Sequence, residues 1–201
     1  MVSRNTSDSS ETRANILDAG QRLMAGKGFS AVGLTELLGG IGVPKGSFYH
    51  YFASKEAFGE AMLDSYFDAY LAELDETLRR PGSTMAQRLL QYWQNWQDTQ
   101  SFSDCQGRCL AVKLGAEVAD LSEPMRMALK QGTAGITTRL ARALETGAAE
   151  GSLSIEGEPA QVAESLYQLW LGASVMVKIV RSRQPFEAAM ATTRLLLRLP
   201  G

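Results

Sequence analysis

Two cysteines and one oddly placed lysine have the most reactive chemistry in this chain of 201 residues. Cys109 follows Arg108 and precedes Lys113 by one helical turn. Positive charge at those positions favours the thiolate, the form that oxidants and electrophiles attack. Cys105 stands four residues before Cys109, on the same face if one helix carries both, so a disulfide or a sulfenic acid resolved by its neighbour is open to the pair. Lys178 interrupts the apolar run Val175-Met176-Val177-Lys178-Ile179-Val180. Buried there, its amine would resist protonation and be able to attack an oxidised sulfur. Each residue also has an inert reading. A buried cysteine is often a small core residue, and a lysine at a helix edge can lay its stem along apolar surface while its head stays in water.

Other chemistry is sparse. A cysteine enzyme needs a base, and the sole histidine, His50, lies far from Cys109 in sequence, so no catalytic residue is assigned. One histidine and two cysteines do not make a conventional zinc site or a disulfide scaffold, and neither a metal nor a cofactor is expected.

A second segment carries a different chemistry. Val43-Pro44-Lys45-Gly46-Ser47-Phe48-Tyr49-His50-Tyr51-Phe52-Ala53-Ser54-Lys55-Glu56 reads as a short helix, a break and a second helix start. Pro44 suits the first helical position. Ser54 suits an N-cap, with Glu56 in the positive first turn. At about 100° per residue, Phe48, Tyr51 and Phe52 fall on one side and Gly46, Ser47, Tyr49 and His50 on the other, with Lys45 at the exposed end. Three aromatics anchor the helix. The opposite face offers a cation, a glycine that allows close approach and small or flat hydrogen-bonding groups, a surface suited to a DNA groove. An amphipathic helix in an ordinary bundle would share this pattern.

These residues need positioning elements. Hydrophobic content of 45% supports a sizeable core. The net charge of -2 is not that of a strongly basic nucleic-acid binder, although residues 1–58 carry +1 and the remainder -3. The N-terminal 1–9 stretch reads as a loose polar arm. Helices are expected over about 10–27, 34–38, 45–52, 54–80, 85–102, 105–120, 122–147, 159–181 and 185–199, giving an all-α chain of about nine helices with no strand alternation. The short helix at 34–38, the turn Gly39-Gly40-Ile41-Gly42 and the next short helix make a helix-turn-helix, so the expected organisation is an arm, a DNA-binding domain over 10–58 and a sensing and dimerisation domain over 59–201. The helix at 159–181 is apolar almost all round, which calls for full burial or a partner subunit. With the last helix it could form an isologous contact across about 159–199. No apolar run reaches the roughly 18–20 residues of a membrane span, and the polar Met1–Ser10 lacks a signal-peptide core. A cytoplasmic protein without a membrane partner is expected.

The pattern Gly28-Phe29, Leu34-Thr35-Glu36-Leu37-Leu38 and Gly42-Val43-Pro44-Lys45-Gly46-Ser47-Phe48-Tyr49-His50-Tyr51-Phe52-x-Ser54-Lys55-Glu56 resembles TetR-type transcriptional regulators. Gly33 departs from the usual Thr or Ser cap, and Gly39-Gly40 from the usual alanines. The resemblance implies a homodimer with one helix-turn-helix per subunit, bound to operator DNA, and a helical ligand-sensing domain. Lys45, Gly46 and Ser47 sit where base edges are read, Tyr49, His50 and Lys55 where phosphates are gripped, and Thr35 is a further phosphate partner.

The C-terminal part resembles the NemR-type subgroup of repressors, which respond to reactive electrophiles and oxidants. The matching residues are Gly107-x-Cys109-Leu110-x-Val112-Lys113-Leu114-x-Ala116-Glu117-Val118-x-Asp120-Leu121-Ser122-Glu123-x-Met125-Arg126, then Gly157-Glu158-Pro159 and Leu169-Trp170-Leu171-Gly172-Ala173, with Lys178 beyond. The implied sensor is Cys109, with Lys178 as its amine neighbour; Cys105 has no counterpart. In the competing reading Trp93, Trp96, Phe102, Met125, Met127 and Trp170 line an apolar pocket for a non-covalent inducer, although these residue types also serve as core.

Overall fold

A computed structural model describes residues 3–99 and 109–199. Among the described residues there are nine helices and no strand: α1 (Ser3–Lys27), α2 (Leu34–Gly39), α3 (Lys45–Tyr51), α4 (Lys55–Leu78), α5 (Met85–Thr99), α6 (Leu110–Leu121), α7 (Glu123–Ala149), α8 (Pro159–Val180) and α9 (Gln184–Leu196). The chain divides into two compact units. One comprises Met1–Asp68 with Cys109–Gln131, and the other Ala69–Arg108 with Gly132–Gly201.

Several boundaries differ from expectation. Helix α1 starts at Ser3, so the loose arm expected over 1–9 is helical from its third residue. Once a helix exists, each added residue costs little and gains a hydrogen bond, and no Pro or Gly blocks extension there. Helix α6 starts at Leu110 rather than about Cys105. Pro44 is the N-cap of α3 rather than its first residue, because its ψ of 145° is extended.

The first unit is built around aromatic and aliphatic side chains that the helical period turns inward. Ile16, Leu17 and Met24 of α1, Leu37 and Leu38 of α2, Phe48 of α3, Phe58, Met62 and Leu63 of α4, and Leu114 and Val118 of α6 are buried. Burying one such side chain contributes about 1.5–3 kcal/mol. The Gly28 amide donates to Met24 O at 2.9 Å, closing α1, and Gly28 takes φ +90°, a conformation glycine adopts without strain.

In the second unit α8 packs on α9. Trp93 stacks on Trp170 with centroids 4.8 Å apart and planes 10° apart, and Trp170 stacks on Phe186. The indole of Trp96 donates to Ser174 Oγ and that of Trp170 to Thr193 Oγ1, both at 2.9 Å, so these buried donors are satisfied.

Candidate DNA-reading helix and sensor thiol

The helix-turn-helix forms from local rules. Helix α2 has Gly33 as N-cap with no side-chain hydrogen bond. Leu38 O then accepts from the amides of Ile41 and Val43 at 3.2 and 3.1 Å, and Gly42 turns the chain at φ +66°. In α3 the Ser47 amide reaches Pro44 O at 2.9 Å, and Phe52 closes the end by donating to Phe48 O at 2.9 Å. Ser54 caps α4, its Oγ accepting from the Ala57 amide at 3.1 Å. The Glu56 carboxyl is lowered by its own backbone amide and then by the Ser54 hydroxyl.

Phe48 and Phe52 are buried as the period requires, their rings 5.2 Å apart and each against Phe58. Tyr51, the third expected anchor, is only half-buried, because it lies at the last residue of the helix. Lys45, Gly46, Tyr49, His50 and Thr35 are exposed, and Ser47 is half-buried. A Cβ on Gly46 would meet nothing within 4 Å, so no packing inside the chain requires glycine there; the free space lies outward. Arg13 of α1, not singled out by sequence, places its guanidinium 5.4 Å from the Phe52 ring centre, at the C-terminal end of α3. Residue spacing alone did not mark it, since α1 and α3 meet only in the fold.

Lys55, expected as a phosphate grip, is engaged within the chain. Its Nζ donates to Phe29 O at 2.8 Å and sits 4.5 Å from the centre of the Phe29 ring. Glu117 of α6 had no assigned role. Its carboxylate accepts from the amides of Phe29 at 3.0 Å and Ser30 at 2.7 Å. Burial works to raise this carboxyl, but the Ser30 amide and hydroxyl, the Phe29 amide and the charge of Lys113 together outweigh it and hold it below its ordinary value.

The Cys109 side chain is buried, 5% exposed. It is the N-cap of α6, with φ -77° and ψ 99°, and its carbonyl accepts from the Lys113 amide at 3.2 Å. The one-turn relation to Lys113 is thus real, but it runs from a cap into a helix. A helix N-terminus is one of the settings that favours a thiolate. Cys105, Phe102 and Arg108 lie outside the described residues. Lys178, in the second unit, is half-buried on α8 rather than enclosed.

The aromatic residues proposed as a pocket lining are buried and packed on one another. Trp93, Trp96 and Trp170 belong to the second unit, and Met125 and Met127 to the first. They do not form one surface within a unit. Met125 is fully buried, its Sδ and Cε close against Gly59.

A chain that is helical and strand-free among its described residues, with an exposed polar face on the second helix of a helix-turn-helix, has the make-up of a DNA-binding regulator. Comparisons identify the family. The model described as bacterial regulatory proteins, tetR family, matches residues 16–62, and that described as tetracyclin repressor-like, C-terminal domain, matches residues 86–193. The chain belongs to the TetR family. It is 44% identical over 191 residues to the HTH-type transcriptional repressor NemR of Escherichia coli K12, covering 95% of this chain and 96% of that protein. Identity to the transcriptional regulator AcuR of Cereibacter sphaeroides is 31% over 190 residues, covering 94% and 86%. The crystal structure of the reduced form of E. coli NemR matches with a TM-score of 0.89 at 45% identity, covering 95% of this chain and 99% of that one. The expected family, the likeness to NemR and the all-α fold are therefore shown, and the chain is a DNA-binding transcriptional regulator rather than an enzyme. TetR-type regulators bind operator DNA and act as dimers. No helix among the described residues is long and apolar enough to cross a membrane.

Proposed function

We propose that this chain is a repressor released from its operator when Cys109 is oxidised or alkylated. What supports this is the place of Cys109 at the N-cap of α6, a helix that belongs to the same compact unit as the helix-turn-helix. Lys45, Gly46 and Ser47 read base edges, while Tyr49, His50, Lys55 and Thr35 hold phosphates. Two copies meet through α8 and α9, whose Val175, Met176, Ile179, Val180 and Leu195 are exposed in one chain at 44%, 44%, 67%, 47% and 77%. These exposures support cover by a second copy over burial of the whole of α8 within one chain.

Oxidation by hypochlorite converts the thiolate to a sulfenic acid with loss of chloride. Alkylation by an electrophile instead forms a carbon–sulfur bond with loss of the thiol proton. Two major-groove helices must stand about 34–36 Å apart, and a modified state that favours another spacing by about 1.4 kcal/mol loses tenfold in affinity. A gel shift with the chain's upstream DNA tests this: oxidant abolishes the shift and reductant restores it. An unchanged shift after complete oxidation of Cys109 sinks the reading.

One observation favours a non-covalent inducer as a second reading. The Trp93 Nε1 is buried without a hydrogen-bond partner among the described residues, and such a donor is costly to leave unmade. An apolar ligand with an acceptor would meet it. Release of operator from Cys109→Ser protein by such a ligand, lost in Trp93→Phe, would support this reading over the covalent one.

A further inference from the structure

The loop Gly28-Phe29-Ser30 is held from two sides. It joins α1 to the start of the helix-turn-helix. The Phe29 and Ser30 amides donate to Glu117 of α6, and the Phe29 carbonyl accepts from Lys55 in the first turn after the reading helix. The Phe29 ring lies beneath the Lys55 ammonium and against the position where a Gly59 Cβ would stand, 2.7 Å from its Cε2. A Cβ on Gly28 would lie 2.8 Å from Glu117 Oε2, so glycine there lets the carboxylate reach the backbone. The approach is thus built from both partners.

We propose that Glu117 is the positioning residue that transmits displacement of α6 to the helix-turn-helix, acting as a latch on the backbone of Phe29 and Ser30. This rests on the reading of Cys109 as the sensor. Helix α6 has 12 residues, and Glu117 stands two turns beyond Cys109, about 12 Å along the axis at 1.5 Å per residue. A helix this short moves as one piece, so a change at its N-cap reaches Glu117 without a relay of side chains. The donor distances are 2.7 and 3.0 Å, and a shift of about 1 Å takes both beyond hydrogen-bond geometry. Both bonds are made to an ionised acceptor, the stronger kind, so their loss is a discrete event rather than a gradual one. With the latch open, the Phe29 backbone keeps only its bond to Lys55, and the loop that leads into α2 is no longer fixed to α6 through its amides.

The test uses the full chain with N-ethylmaleimide as the probe, and reads hydrogen exchange at the Phe29 and Ser30 amides together with operator release. Alkylation of Cys109 speeds exchange at both amides about tenfold or more, and leaves the α4 core amide of Leu63 unchanged. Glu117→Ala, alkylated to the same extent by mass, shows a ratio of treated to untreated operator Kd at least about fivefold smaller than the unsubstituted chain. Glu117→Gln, which keeps one acceptor, falls between. A purely structural role would lower the melting temperature and leave that ratio unchanged, which overturns the proposal. Should Glu117→Ala not fold, the exchange measurement on the unsubstituted chain decides. Operator release with unaltered exchange at Phe29 and Ser30 removes the latch alone. Complete alkylation without operator release removes the Cys109 reading, and the latch with it.

Discussion

Lys55 donates from Nζ to the carbonyl of Phe29 at 2.8 Å and stands over the ring of the same residue. The bond joins the loop before the helix-turn-helix to the helix after it. Lys55→Met keeps the stem and removes the charge and the donor. The carbonyl it leaves is partly buried, so the change is expected to cost about 1–2 kcal/mol, measured as a lowered urea midpoint with an unchanged slope.

The reading face separates into two kinds of residue. Tyr49→Ala with His50→Ala is expected to weaken binding to all operator variants alike, since phosphates carry no sequence. Substituting Lys45 or Ser47 is expected to relax preference at particular base pairs, by about 1–3 kcal/mol each. Binding measured over a set of single-base operator variants distinguishes the two patterns.

Glycines in the first unit divide by their surroundings. A Cβ at Gly59 would lie 2.7 Å from Met125 and from Phe29, so Gly59→Ala is expected to destabilise by about 1–3 kcal/mol through overpacking. A Cβ at Gly39 or Gly33 meets nothing within 4 Å. Gly39→Ala is expected to stabilise α2 by about 0.5–1 kcal/mol, and Gly33→Ser by a few tenths through the missing cap. Thermal unfolding of the three variants checks the signs.

The Glu117 carboxyl lies below its ordinary value of 4.5 in the folded chain. Its contribution is therefore fully present above that ordinary value and is lost as pH falls through the lower folded one. The melting temperature of the unsubstituted chain is expected to exceed that of Glu117→Gln at pH 7, and the gap to close progressively below pH 4.5. A gap constant with pH would show that the charge of Glu117 contributes nothing.

Sequence carried the helix-turn-helix almost whole, because each of its features is local: inward Phe48 and Phe52, the turn at Gly42, the Ser54 cap. It misplaced the start of α1, whose polar first residues carry no apolar period, and the start of α6, because Leu110, Leu114 and Val118 mark a face but not where the helix begins. The apolar α8 showed that its outer face needs cover, not whose cover. Glu117 was visible only as part of a matching motif. Its partners are backbone amides 88 and 87 residues away, and no spacing rule predicts a bond to a main-chain donor at that separation.

Modification of Cys109 is proposed to release the operator. Operator affinity of Cys109→Ser, measured beside the unsubstituted chain before and after hypochlorite or N-ethylmaleimide, tests it most directly. Both proteins are expected to bind equally before treatment, and only the unsubstituted chain to lose at least tenfold in affinity afterwards. A Cys109→Ser protein that lets go of DNA to the same extent would contradict it.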